Sequence, residues 1–132
     1  MKKQKRAARS AKGKSKSYLK KRLWKIFSLY IRNRDQWTCF TCGRKATGSG
    51  MHAGHFVPRS HSNTLFDEIN VHAQCAKCNL WAGGEPHIYA LRLINKYGKG
   101  EFERLVKRGR MLKQWTPKEL EELIDVYQKH EL

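Results

Sequence analysis

Acidic residues are scarce in this chain. Eleven Asp and Glu stand against 28 Lys and Arg in 132 residues, a formal net charge of +17. So lopsided a balance points to a polyanionic partner; nucleic acid is the commonest, and a membrane surface is the weaker alternative. Long apolar runs are also lacking, which excludes a helix that spans a bilayer. The cationic N-terminus has no apolar core and no small-residue cleavage site behind it, so it does not read as a secretory signal. A cytoplasmic protein is therefore expected. Cysteine is limited to four residues. In a reducing compartment these favour metal binding over disulfides. The length suits one domain with a modest core.

Composition changes along the chain. Residues 1–17 are basic and small, with almost nothing to bury. They are expected to form a disordered arm that orders on DNA, or else a solvated tail or localisation signal. Through Arg34 the chain carries 14 Lys and Arg and no acidic residue. From Tyr18 to Ile31, Leu19, Leu23, Ile26, Phe27 and Tyr30 recur at helical spacing. Lys12, Lys14, Lys16, Lys20, Lys21, Arg22 and Lys25 are the candidate phosphate contacts of arm and helix. Residues 18–132 are expected to form a single domain, with its core at about 35–84 and helices at about 85–131. Within it, 35–50 read as a knuckle and turn, Met51–Val57 as extended, and His61–Asp67 as a polar loop. A short helix should carry Cys75, Cys78 and Asn79 and stop at Gly83-Gly84. Helices are expected from Pro86 to Tyr97 and from Glu101 to Lys107. A last helix should open at the capping box Thr116-Pro117-Lys118-Glu119.

The cysteines come in two matched pairs, Cys39-Phe-Thr-Cys42 and Cys75-Ala-Lys-Cys78. Two such pairs complete the four-thiolate tetrahedral site that zinc favours. Thirty-two residues separate Cys42 from Cys75, longer than a simple ribbon requires, so something is built between the pairs. That insert holds His52, His55 and Asn70, and Asn79 follows the last cysteine. Zinc bound by cysteine leaves these imidazoles and amides for other chemistry.

The run Gly54-His55-Phe56-Val57-Pro58, then Asn70-Val71, then Cys75-x-x-Cys78-Asn79 resembles the His-Asn-His (HNH) endonuclease motif. More narrowly, HAGHF followed by IN-x-H-x-QC-x-x-CN is similar to the NinG (Rap) recombination proteins of lambdoid phages. The resemblance implies a small, mostly helical α+β fold around a zinc-stapled treble-clef ββα-metal core. It also implies a metal-dependent endonuclease acting on branched DNA such as Holliday junctions and D-loops, in the host cytoplasm if a phage encodes the chain. His55 then falls at the general base and Asn70 at the residue that braces the loop and orients the imidazole. Asn79 falls at the last motif position, offering an amide oxygen to catalytic Mg²⁺ or Mn²⁺. Many HNH enzymes place Asp or His directly before the base, where this chain has Gly54. His52, two residues earlier on the same strand face, is the candidate second ligand.

Plainer readings stand beside these. His52 and His55 could complete a metal site or pack on the knuckle, Asn70 could be a turn residue, and Asn79 a surface amide. His61, His72 and His87 have no assigned role. Trp37, Trp81 and Trp115 read as packing residues. A non-catalytic zinc module binding DNA or RNA, or a basic protein of a ribonucleoprotein, would need no His55, Asn70 and Asn79 set. Paired incisions across a four-way junction would suit a homodimer, with the last helix as interface or as core cover.

Overall fold

A computed structural model describes residues 14–131. Lys12 and the rest of the expected arm up to residue 13 lie outside the described residues. The protein is a small α+β structure, mostly helical, with one two-stranded sheet. The fold divides into two units. Among the described residues, one holds those up to Phe27 and from Trp115 onward, the other Ser28–Gln114. The span expected as one domain, 18–132, thus holds parts of both units.

Helix α1 covers Lys16–Arg34, beginning inside the expected arm and ending beyond Ile31. Its start follows from Ser15, whose hydroxyl accepts from the Tyr18 amide at 3.1 Å as a cap. Its end is a tight reversal in which Gln36 (φ 54) and Trp37 (φ 52) are left-handed. Such non-glycine residues carry local strain. Trp37 is held there by its indole N–H, which donates to Asn33 Oδ1 at 2.9 Å. In the first unit, Leu19, Leu23, Ile26 and Phe27 are buried, as are Leu120, Ile124 and Tyr127 of helix α4 (Pro117–Gln128). Phe27 and Tyr127 meet edge to face at 4.9 Å. The expected capping box opens α4, with Thr116 and Glu119 bonded reciprocally.

The second unit is built on an antiparallel hairpin of β1 (Met51–His55) and β2 (Val71–Cys75). The register pairs Met51 with Cys75, His52 with Gln74, Ala53 with Ala73, Gly54 with His72, and His55 with Val71. Side chains alternate across a strand. One face therefore carries Met51, Ala53 and His55 with Cys75, Ala73 and Val71. The other carries His52 and Gly54 with Gln74 and His72. Cys39, Met51, Ala73, Cys75 and Cys78 form one buried cluster. Helices α2 (Pro86–Tyr97) and α3 (Lys99–Arg110) supply a second one around Tyr89, Leu93 and Leu105.

Two local expectations are corrected. Cys75 does not lie on a helix; it ends β2, and Cys78 and Asn79 lie on a single π-helical turn, Lys77–Trp81. A wider turn fits here because Cys78 is tied back to the cysteine cluster while the chain heads toward α2. Helix α3 is longer than Glu101–Lys107 at both ends. Gly109 lies in its last turn, where a Cβ would stand 2.9 Å from Val57 Cγ1, so glycine permits the close packing of α3 on the chain after β1.

Candidate metal centre and hydrolytic site

The cysteine pairs converge. Cys39 and Cys42 sit on a knuckle closed by the Thr38–Lys45 bridge and by the Cys39 amide donating to the Arg44 carbonyl at 2.8 Å. Gly43 turns the knuckle at φ 80. The Sγ atoms of Cys39, Cys42, Cys75 and Cys78 lie within 4.8 Å of one another. Cys42 and Cys75 are 3.7 Å apart. Four thiolates at zinc–sulfur distances of ~2.3 Å in a tetrahedron are separated by about 3.8 Å, so the cluster could hold a metal such as zinc.

The thiols are differentiated. Burial pushes Cys39 up, but the Thr41 hydroxyl and backbone amides outweigh it and bring it down to about 6. Burial raises Cys42, and it lifts Cys78 to about 12 with the Cys75 and Cys42 thiols adding to the rise. A bound divalent cation would override these differences by favouring every thiolate.

On the same hairpin face, His55 is directed at the loop between the strands. Its Nε2 lies 3.0 Å from the Leu65 carbonyl and donates to it, which leaves Nδ1 as the basic nitrogen of the neutral ring. Burial holds the imidazole down at about 4, with Arg59 adding to the depression, so the ring is neutral at neutral pH.

Asn70 is fully buried and organises that loop. Its Oδ1 accepts from the Val57 amide at 2.6 Å, and its Nδ2 donates to the carbonyls of Val57 and Thr64, each at 3.0 Å. Thr64 precedes Leu65, whose carbonyl receives His55. One amide side chain therefore ties both ends of the loop to the place where the imidazole is aimed. From outside, α3 clamps the loop: Arg108 binds Asp67 at 2.8 Å, and Asn63 donates to the Arg108 carbonyl at 2.9 Å. His61 Nδ1 bonds the Gly109 carbonyl at 2.9 Å, which gives His61 a structural place.

The opposite hairpin face gathers His52 and Asn79. His52 Nε2 donates to the Ser49 carbonyl at 3.2 Å, and its Nδ1 accepts from Asn79 Nδ2 at 3.0 Å. Both ring nitrogens are engaged, so in this arrangement His52 orients Asn79; to ligate a metal itself, its ring would have to break one of these bonds. Gly54 and His55, neighbours at the end of β1, face opposite ways, Gly54 toward this pair's face and His55 toward the other.

His72 is fully buried, stacked on Phe40 at 4.0 Å between centroids. Its Nδ1 lies 3.3 Å from the Tyr89 hydroxyl and its Nε2 2.8 Å from that of Tyr97. Tyr89 in turn donates to the Gly54 carbonyl at 2.7 Å. Burial and the nearby Arg34 push His72 down to about 3. His72 is thus a neutral core histidine that positions α2. His87 is exposed.

Of the candidate phosphate contacts, Lys14, Lys16, Lys21 and Lys25 are exposed, and Lys20 and Arg22 are half-buried. They belong to the first unit; His52, His55, Asn70 and Asn79 belong to the second. Trp37 and Trp115 are half-buried, but Trp81 does not pack: it is 86% exposed on the turn after Asn79. The π-helical turn binds Cys78 inward and leaves Leu80 and Trp81 outside. Sequence reasoning missed Gln74 and Thr41, both buried between the two sites. The available signal was strand period: Gln74 lies two residues from His72 and faces the same way.

A family model described as "Bacteriophage Lambda NinG protein" matches residues 1–131. The chain belongs to the NinG family. It is 30% identical over 118 residues to Protein ninG of Enterobacteria phage VT2-Sa, covering 88% of this chain and 58% of that protein. It is 29% identical over 118 residues to Protein ninG of Escherichia phage lambda, covering 88% of this chain and 57% of the relative. The chain thus spans somewhat more than half the length of these members of the family. No solved structure matches it at a significant level. No helix among the described residues is long and apolar enough to cross a membrane.

Proposed function

We propose that this NinG-family protein is a metal-dependent DNA endonuclease of the HNH type, with a zinc-stapled treble-clef ββα-metal core and branched DNA as its substrate. The observation that carries the reading is the aimed imidazole. His55 Nε2 is fixed on the Leu65 carbonyl, and the loop bearing that carbonyl is tied down by Asn70. A binding surface needs no such brace behind a buried neutral histidine.

The roles follow from the tautomer. With Nε2–H spent on Leu65, Nδ1 takes the proton of a water attacking a phosphodiester. Its depressed basicity keeps the ring ready at neutral pH. Asn70 holds the ring's direction through the loop. Asn79, oriented by His52, offers its amide oxygen to a divalent ion on the other side of β1. When bound, such an ion supplies charge stabilisation at the phosphate and leaving oxygen. The phosphate would lie across the edge of β1, between the two faces. The lysines of α1 and the basic residues before it supply affinity for the backbone without reading sequence. A homodimer would suit paired incisions.

The test is cleavage of a labelled set of linear, flap, three-way and four-way DNA with Mg²⁺ or Mn²⁺ against chelator. Parent protein should cut the branched forms. His55→Ala should lose about 100-fold or more in rate while retaining binding. Equal rates for parent and variant would remove His55 from the reaction. A second reading, a zinc-dependent binding module without catalysis, draws support from the depth of the His55 depression, since a weaker base drives proton transfer less well. Tight junction binding with no cleavage under any divalent ion would favour it.

A further inference from the structure

Gln74 is fully buried, and its amide orientation is settled by its partners. Its Nε2 donates to the Gly84 carbonyl at 2.9 Å and to Thr41 Oγ1 at 3.2 Å. A carbonyl accepts only from a donor, so Nε2 is on that side and Oε1 on the other. Oε1 is the buried side-chain oxygen or nitrogen left without a hydrogen-bond partner among the described residues. It is directed at the place where Gly54 has no side chain, closely enough to collide with a Cβ there. Asn79 Oδ1 lies 3.0 Å from the same position. Asn79 is orientated the same way for the same reason: its Nδ2 is committed to His52, so Oδ1 points away from it.

Two amide oxygens from different elements thus converge beside one glycine. An orphaned buried oxygen is costly, because it has lost its water without gaining a partner. It persists where something else satisfies it. We propose that Gln74 Oε1 and Asn79 Oδ1 together are the protein ligands of a hard divalent cation seated beside Gly54. The assignment rests on the nuclease reading for its purpose but on the two oxygens for its place. It moves the second ligand from His52 to Gln74 and makes His52 a positioning residue.

The donor chemistry sets the class of ion and its dependence on substrate. Neutral amide oxygens suit Mg²⁺ or Mn²⁺, which keep several waters and share anionic oxygens from a phosphate. No carboxylate is in the pair, and the chain carries a net charge of +17. The ion is therefore held weakly until a phosphate group joins the shell, and metal and DNA bind cooperatively. The other end of Gln74 reaches the cysteine cluster. Its Nε2 donates to Thr41 Oγ1, and that hydroxyl is hydrogen-bonded to Cys39 Sγ at 3.4 Å. The structural cluster thereby orients a ligand of the second site.

The experiment is a Mn²⁺ titration of zinc-loaded, side-chain-amide-labelled protein with a short DNA duplex present, followed by NMR. Substoichiometric Mn²⁺ should broaden the side-chain amide signals of Gln74 and Asn79 before those of other Asn and Gln residues. Gln74→Met keeps length and removes both polar atoms; it should raise the Mn²⁺ needed to broaden Asn79 by about tenfold or more, with zinc content unchanged. A Gln74 signal that stays sharp, or an Asn79 response unaltered in Gln74→Met, overturns the site. If Gln74→Met fails to hold zinc, the parent titration alone decides. Cleavage with an unbroadened Gln74 would sink the ion site and leave the nuclease reading standing. Selective broadening with no cleavage of any branched substrate would do the reverse.

Discussion

The two faces of the hairpin are made by the same ten residues and do opposite things. On one, Met51, Ala73 and Cys75 belong to the buried cysteine cluster, Ala53 and Val71 are apolar, and His55 at the strand end is the one polar side chain besides the thiol. On the other, His52, Gln74 and His72 surround Gly54, and every side chain but the glycine's is polar. The first face is held by burial and by the metal the thiols could bind. The second is held by directional hydrogen bonds, each with a named partner, and it leaves one oxygen unsatisfied. A hairpin this short cannot be stable alone. The thiol face provides the anchorage, and the polar side chains, with His55 at the end of the thiol face, are then held by directed hydrogen bonds.

The sharpest break in that contrast is loss of the anchorage. Cys75→Ser should remove the metal and cooperative folding of the second unit together, since structural zinc supplies about 10–16 kcal/mol in small zinc-finger peptides. Metal content and circular dichroism check this; active, folded protein without zinc would refute it. Next comes Asn70→Ala, which strands the Val57 amide and the Val57 and Thr64 carbonyls. A loss of about 3 kcal/mol in unfolding free energy is expected with zinc retained. The imidazole would also lose its aim, so cleavage should fall further than stability explains. A neutral effect on both would show that the loop is braced elsewhere.

Gly54→Asp probes the polar face from within. A Cβ there meets Gln74 Oε1, so the change should cost about 1–3 kcal/mol in stability. It should not rescue a His52→Ala variant, although the Asp or His that many HNH enzymes carry at this place suggests rescue. Restored activity in the double variant would mean that Gln74 yields easily.

Acid sharpens the comparison without mutation. His55 and His72 have folded values near 4 and 3, below the ordinary 6.5. The unfolded chain therefore takes up protons first as pH falls. Their contribution to stability is complete above about 6.5 and is lost progressively between there and about pH 3–4. Thermal melts from pH 7 to 4 should fall in that window. Neither imidazole should titrate in NMR spectra above pH 5, and a His72 signal titrating near 6.5 would contradict its burial. The smallest effect concerns the other unit. Deleting residues 2–16 removes eight Lys and Arg. The slope of log affinity against log salt should shrink by about 0.9 for each duplex phosphate that the shortened chain no longer neutralises. An unchanged slope would mean that this segment does not touch DNA.

Much of this architecture is written locally in the chain. Two CxxC pairs must converge if they bind one ion, because each pair already bites from a short turn. The capping box, Pro86 and Gly98 delimit helices through interactions within a few residues. Asn70 could be marked as a brace from the chain's resemblance to the HNH motif. The remaining decisions were tertiary. Whether His52 ligates or orients depends on Asn79, 27 residues away, which takes its Nδ1. That Gln74 matters at all depends on Gly54 across the sheet and on Gly84 and Thr41 fixing its amide. Trp81 is exposed because a π-helical turn, not an α-helix, carries Cys78 to the cluster. Short-range sterics and spacing determine where elements begin and which residues can share a metal. Which way a buried polar atom points is set by partners far apart in sequence, and only the folded chain brings those together.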